Sequence, residues 1–437
     1  MVRRFARPSM ALCLAVWSLG GCQLLAGISV IDSTAEADGG DAAQDGAADA
    51  LTEADATDAT MRVDAADATT PQDADRVDAT DAAADVPDAC AADAAGLQQD
   101  PLNCGACGHD CLGGTCVGGA CAPFVIATNQ LGTYWLAIDP PTLYWTDGSS
   151  VHGCPTTGCA DAGPSSVVTL DGGSIQELAA GGGEVLFSTC PPDGGGGVLG
   201  CPESGCSGTP EARAAGYGCI RALGVDTVTS VFYFGNGSDG TYRCPLAGCG
   251  SGASFLDSTL GYHGGYLASV ALSGPNVFFL GANGDIAECV NDYCTPPGFE
   301  SLAAVGGITG IPASIAGGFL YRAFYGDGPD QAFSPLNIPL ITNSGGGVRR
   351  LALPWDGGAA EVLVGAGSPT AVVATGTAFY FTDFGSGSIL ECPASGCGAA
   401  PSVLAIGQEQ PFALVQDSTA IYWANYGGDP VLKQTPK

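Results

Sequence analysis

The side chains best equipped for chemistry in this 437-residue chain are its 20 cysteines, its three histidines and a few recurring aspartates. Ten of the cysteines form Cys-x4-Cys pairs: Cys154/Cys159, Cys201/Cys206, Cys244/Cys249, Cys289/Cys294 and Cys392/Cys397. Thiols this close can hold a metal, run redox exchange or close a disulfide. Four pairs read Cys-Pro-x-x-Gly-Cys, in which proline presets φ for a turn and glycine permits φ > 0 at its far end. Such a hairpin places its cysteines opposite each other across two antiparallel strands, and the expectation is a staple. Closing so short a loop contributes about 2 kcal/mol in the entropy model. Cys289-Val-Asn-Asp-Tyr-Cys294 lacks the proline and glycine, so its turn must differ. Cys190 and Cys219 remain, and a Cys190–Cys219 bridge would join two neighbouring repeats.

Catalysis finds little support, and no catalytic residue, metal site or cofactor is assigned. Beyond position 122 the histidines are His152 and His263, at unrelated places in their repeats. His152 reads as a surface residue beside a staple, while His263 lies in a loop that could face a central channel. No Gly-x-Ser-x-Gly elbow or His-Glu-x-x-His helix is present. The run 235–240 matches Gly-x-Gly-x-x-Gly by letter but joins two strands, so it reads as a turn.

The elements that must carry these groups are strands. Aromatic strand signals recur at Tyr144-Trp145, Val185-Leu186-Phe187, Val231-Phe232-Tyr233, Val277-Phe278-Phe279, Phe319-Leu320-Tyr321, Ala378-Phe379-Tyr380 and Ile421-Tyr422-Trp423. Their spacing, mostly about 42–46 residues, lies in the range of propeller blades. Each repeat supplies an apolar strand, the aromatic strand, a strand bearing the first staple cysteine, and a fourth. The 68 glycines and a charged fraction of only 13% suit short strands and many turns. The fold class is all-β: a seven-bladed β-propeller over residues 122–437, with six blades and one strand outside the ring as the alternative. Val431-Leu432-Lys433 and Phe124-Val125-Ile126 can share the last blade, closing the ring and hiding two strand edges.

Tyr144-Trp145-Thr146-Asp147, Phe381-Thr382-Asp383 and Tyr422-Trp423-Ala424-Asn425 resemble the YWTD propellers of the low-density-lipoprotein receptor family. Those have six blades, so the count here departs. The resemblance implies the architecture and a structural role for Asp147 and Asp383, and no ligand.

The N-terminal third differs. Arg3, Arg4 and Arg7 precede an apolar run too short to span a bilayer, ending in Leu19-Gly20-Gly21-Cys22. This resembles a bacterial lipobox, which implies a signal peptide over 1–21 and lipidation at Cys22, hence a membrane partner through the anchor. Residues 22–89 form an Ala/Asp-rich linker. Between Asp32 and Asp93 there are 18 acidic and two basic residues, too much like charge and too little apolar surface to fold. From Ala122 onward 25 acidic residues face eight basic ones, and with no basic groove, nucleic acid is not an expected partner.

Residues 90–121 form a cysteine module with Cys90, Cys104, Cys107, Cys111, Cys116 and Cys121. Asp100, Asn103-Cys104-Gly105 and Cys107-Gly108 resemble the stigma-specific protein family, which also occurs in myxobacterial lipoproteins and implies no known catalysis. A core this small needs disulfides in an oxidising compartment. Fifteen pairings of six cysteines stay open. The rival reading is zinc at Cys104 and Cys107 with His109 nearby.

One repeat breaks the pattern. In the fifth, 59 residues separate Phe319 from Ala378, and no staple is present. Its insertion carries Asp327 and Asp330, followed by Arg349 and Arg350, a candidate ligand loop together with His263. The expected function is a lipid-anchored envelope protein, with Gln23 after the lipid cysteine pointing to the outer membrane, periplasmic or surface-exposed, that presents a non-catalytic propeller to a protein or glycan. A propeller enzyme of lyase, lactonase or glycosidase type, or a purely structural envelope protein, are the alternatives.

Overall fold

The computed structural model describes residues 96–437 except 131, 160–162, 192–194, 237–239, 258–266, 282–285, 291–292, 295–312, 325–345, 355–359, 366, 398–399, 428–431 and 437. Cys22, Cys90, His263, Asp327 and Asp330 therefore lie outside the described residues.

The aromatic runs form second strands: Thr142–Thr146, Glu184–Thr189, Val231–Asn236, Asn276–Gly281, Phe319–Phe324, Ala378–Asp383 and Ala420–Asn425. Each lies inside a four-stranded antiparallel sheet, between the first and third strands of its repeat. Among the described residues there are seven such sheets, the number the seven-bladed reading expects. Blades 1 to 7 begin at Leu136, Ile175, Ile220, Leu267, Ser314, Pro369 and Pro411. The first strands of successive blades touch all the way round, blade 7 against blade 1 included, so they line the axis.

Burial explains why the second strands were the strongest signal. Sandwiched between neighbouring blades, they are covered on both faces, and Val231–Asn236, Ala378–Asp383 and Ala420–Asn425 are buried at every position. A strand covered on both faces reads as a continuous apolar run rather than an alternation. Trp145, Trp423, Phe187, Phe232, Phe279 and Phe379 are all 0% exposed and fill the spaces between blades.

Blade 7 closes the ring. Its first three strands, Pro411–Gln416, Ala420–Asn425 and Leu432–Pro436, come from the C-terminal end of the chain, and its fourth is Phe124–Ala127. The register pairs Phe124 with Gln434, Val125 with Lys433 and Ala127 with Leu432. Antiparallel order fixes two faces. One, the staple face, carries the turns between first and second strands and the hairpins between third and fourth. The other, the loop face, carries the turns between second and third strands and the links from blade to blade.

The cysteine module precedes the closing strand. Cys104–Cys116 and Cys111–Cys121 are disulfides, and Cys107 is also disulfide-bonded. Asp100 accepts the Leu102 N–H and the Asn103 side-chain amide, and Asn103 in turn accepts the Gly108 N–H. The residues that carry the family resemblance thus build turns. Leu112 and Phe124 pack against the core shared by blades 7 and 1.

Candidate functional site

The four Cys-Pro-x-x-Gly-Cys staples are built differently from the cross-strand pairs expected. Cys154–Cys159, Cys201–Cys206, Cys244–Cys249 and Cys392–Cys397 are disulfides with Cα atoms 5.0–5.7 Å apart. The first cysteine of each lies in a third strand, but the second lies outside any strand and turns onto the preceding blade. There its N–H donates to an outer-strand carbonyl: Cys159 to Ile126, Cys206 to Val167, Cys249 to Arg213 and Cys397 to Leu363. Those four acceptors have one feature in common. Each is the extra residue of a β-bulge, where the outer-strand register shifts against the third strand. A bulge leaves one residue out of the ladder and re-aims it, here freeing a carbonyl for the next blade's hairpin.

The staple glycine also follows from this seat. Gly158, Gly205, Gly248 and Gly396 have φ between +98° and +105° or, for Gly205, +93°. A Cβ on Gly248 would stand 3.2 Å from the Arg213 carbonyl oxygen, and one on Gly396 3.3 Å from that of Leu363. Gly396→Ala should therefore cost about 1–3 kcal/mol in chemical denaturation, from backbone strain at positive φ plus crowding of the seam. Two arginines reinforce the seats. Arg213 donates to the Ala247 carbonyl and pairs with Glu184 and Glu211 at 2.8 Å. Arg350 donates to the Ala394 carbonyl and pairs with Glu361 at 2.8 Å.

This corrects the sequence assignment of Arg349 and Arg350 to a ligand loop. Both lie in the third strand of blade 5, Gly347–Ala352. Arg349 stacks 4.0 Å over the Phe324 ring and Arg350 4.3 Å over that of Phe319, so the pair is spent on blade packing. Cys190–Cys219 is a disulfide joining the end of blade 2's second strand to the start of blade 3, on the loop face. Cys289 is disulfide-bonded, and the Cys294 backbone lies opposite it in register.

Asp147 and Asp383 hold turns. Asp147 Oδ1 accepts the N–H groups of Ser149 and Ser150, and its Oδ2 meets His152 Nε2 at 3.0 Å. Asp383 accepts from the Ser368 and Gly385 N–H groups and from the Ser386 hydroxyl. His152 packs beside Trp145, with ring centroids 5.9 Å apart, and is a partner of the turn aspartate. Sequence reasoning missed a second device. Gln130 accepts the Trp145 indole N–H at 2.9 Å, and Gln408 that of Trp423 at 3.1 Å. The shared separation of 15 residues was the available signal.

On the loop face, non-repeating side chains collect around the start of the first strands. Tyr426 sits among Tyr134, Phe412 and Phe384, with centroids 5.4, 6.1 and 6.4 Å away, tying blades 6, 7 and 1 together. Burial, then the adjacent Tyr426, push the Tyr134 phenol up to about 12. Across blades 2 and 3 the same level is polar. Burial drives the Glu177 carboxyl well above its ordinary range, opposed by the charge of Arg221. Phe324 and Gly347, the strand ends that flank segment 325–345, open onto this face.

On the staple face Glu203, in the blade 2 hairpin, meets Asp139 of blade 1. Burial, then the Asp139 carboxyl, push Glu203 up to about 7. A folded pKa above the unfolded value of about 4.3 means that the folded state holds the proton more tightly. The resulting stabilisation is complete below the unfolded value and is lost as pH rises through about 7. Urea midpoints should fall between pH 4.5 and 7.5, and Glu203→Gln should flatten that fall.

Among the described residues of the cysteine module, Cys104, Cys107, Cys111, Cys116 and Cys121 are all disulfide-bonded and offer zinc no free thiolate. The sulfurs of Cys104, Cys111 and Cys121 lie within 4.8 Å of one another, but each is in a disulfide. His109 Nδ1 faces the Cys104 carbonyl at 2.6 Å.

Comparison with known proteins returns fold and little else. No protein-family model and no curated protein matches the chain. Among solved structures, a catalytically inactive virginiamycin B lyase from Staphylococcus aureus with quinupristin is 13% identical at TM-score 0.50, covering 72% of this chain and 99% of its own. BamB from Moraxella catarrhalis is 11% identical at TM-score 0.43, over 70% and 83%. An aldose sugar dehydrogenase from Streptomyces coelicolor is 11% identical at TM-score 0.41, over 72% and 97%. The first likeness shows the propeller fold alone. Among the described residues no helix is long and apolar enough to cross a membrane.

Proposed function

We propose that this is a lipid-anchored envelope protein, attached through Cys22, that presents its propeller as a non-catalytic binding or scaffold module for a protein or glycan. The observation that carries this reading is how the recurring residues are used. Cysteines clamp seams, aspartates hold turns and tryptophans are latched by glutamines. Residues that repeat are spent on architecture, which leaves the non-repeating loop face for recognition. Binding groups are often carried by loops on such a rigid frame.

The polarity of the chain fits. The cysteine module leads into Phe124 at the start of blade 7's outer strand, which lies on the staple face.

Two experiments test the proposal. Labelled fatty acid should be incorporated into the natural chain and not into Cys22→Ala. The full chain carrying Cys22→Ser, applied to glycan arrays and to fractionated envelope proteins, should retain a saturable partner. Retention of none, or turnover of lactones or glycosides by the same protein, would count against a non-catalytic module.

A further inference from the structure

Among the described residues, the seam between blades 2 and 3 carries two features at its loop-face end that do not repeat. The first is Glu177, which follows the bulge in the first strand of blade 2 and lies opposite Ser188. The matching residues of blades 3, 4 and 7 are small: Ala222 opposite Gly235, Ser269 opposite Leu280 and Ala413 opposite Ala424. The face that bears Glu177 looks across to blade 3. Ser188 Oγ donates to the Ile220 carbonyl at 3.0 Å, and Ala179, two residues on from Glu177, shares a core with Ile220, Leu223 and Phe232. Glu177 is 8% exposed, and its carboxyl has the charge of Arg221 beside it but no hydrogen bond among the described residues. Buried polar groups are ordinarily hydrogen-bonded, so an exception calls for a reason. The second feature is a covalent clasp. Each of the four staples closes a hairpin of one blade, whereas Cys190–Cys219 crosses from blade 2 to blade 3. Ser188 stands two residues before Cys190, and Arg221 two residues after Cys219.

We propose that the seam between blades 2 and 3 is a proton-sensitive joint: protonated Glu177 lets it close, ionised Glu177 drives it open at the loop face, and Cys190–Cys219 limits the opening. A neutral carboxyl costs far less to bury than an ionised one, which must regain water or a partner. Arg221, on the first strand of blade 3, is the charged group that acts on Glu177 and offsets part of that cost. The other titratable groups on the strands packed around it are engaged toward the staple face. Asp139 meets Glu203, the Tyr144 hydroxyl meets Thr142, Glu184 pairs with Arg213, and Asp226 accepts the N–H groups of Val228 and Thr229. In the open seam Glu177 titrates as an exposed glutamate, near about 4.3. In the closed seam it holds its proton to higher pH. Closure is therefore fully favoured below the open-state value and weakens as pH rises through the closed-state one. The joint sets the shape of the loop face at blades 2 and 3, and it stands or falls independently of what that face binds.

The test is hydrogen exchange on the full chain carrying Cys22→Ser and Glu203→Gln, the latter to silence the carboxyl pair between blades 1 and 2. Measured from pH 5 to pH 8 and corrected for intrinsic rates, the opening constant of segments 175–181 and 220–226 should rise with pH. The rise should reach up to about tenfold per pH unit until the closed-state pKa is passed. Segment 411–416, with Ala413 at the matching register, should not respond. Adding Glu177→Gln should abolish the rise at blades 2 and 3, and removing the clasp with Cys190→Ser/Cys219→Ser should enlarge it several-fold. A flat profile would overturn the joint, as would a rise that survives Glu177→Gln or appears equally at 411–416. The Glu177→Gln comparison leaves the disulfide untouched, so it decides the proposal even where the double-serine variant does not fold. An equal rise with and without Cys190–Cys219 would overturn the role of the clasp.

Discussion

Trp423→Ala should lower the stability of the propeller by about 3–5 kcal/mol, among the largest effects of any single truncation in the chain. The side chain is 0% exposed and packs in the core that joins blades 6 and 7. The strand that carries it is held in register on both sides by the first and third strands of blade 7, which limits collapse into the space. The change also leaves Gln408 with an amide oxygen that accepted the indole N–H at 3.1 Å. Trp423→Phe separates the two terms: it keeps most of the volume and loses the hydrogen bond, at about 1–2 kcal/mol. Urea unfolding followed by circular dichroism would read both. Equal costs for the two variants would show that the latch, not the filling of the seam, dominates.

The second large effect concerns closure. Ile126→Asp should cost at least about 3 kcal/mol, because it places an unpaired carboxylate in an apolar seam. Ile126 is 4% exposed and packs with Trp145 and Tyr422. It is also the bulged residue whose carbonyl receives the Cys159 N–H. The conservative change Ile126→Val should cost about 1 kcal/mol. Hydrogen exchange would show where the loss falls. Protection should drop first in blades 7 and 1, on the two sides of the closure, rather than evenly around the ring.

Much of the architecture was legible because it depends on local composition. Strands buried on both faces advertise themselves as aromatic runs, and each of the seven runs is a second strand. The hairpin between Cys392 and Cys397 was legible from proline and glycine alone. Closure by Phe124-Val125-Ile126 followed from counting strands, and the observed sheet has that order. What the hairpins do was not legible. Whether the Cys397 N–H pairs within its own blade or with Leu363 depends on a bulge one blade away, and register over 34 residues leaves no local mark. Arg349 and Arg350 misled for a related reason. A basic pair after a long insertion reads as a loop, but stacking on Phe324 and Phe319 and pairing with Glu361 keep it in a strand. The Gln130–Trp145 and Gln408–Trp423 latches were hidden because glutamine in a polar link carries no signal by itself.

The account holds that the cysteines are structural clamps, so that repeated chemistry is architecture and any binding belongs to what does not repeat. Peptide mapping of the protein, alkylated and digested without reduction, tests this most directly. It should return Cys104–Cys116, Cys111–Cys121, Cys154–Cys159, Cys190–Cys219, Cys201–Cys206, Cys244–Cys249 and Cys392–Cys397 as linked peptides. Alkylated thiols at the Cys-Pro-x-x-Gly-Cys positions, or linkages between different blades there, would contradict it.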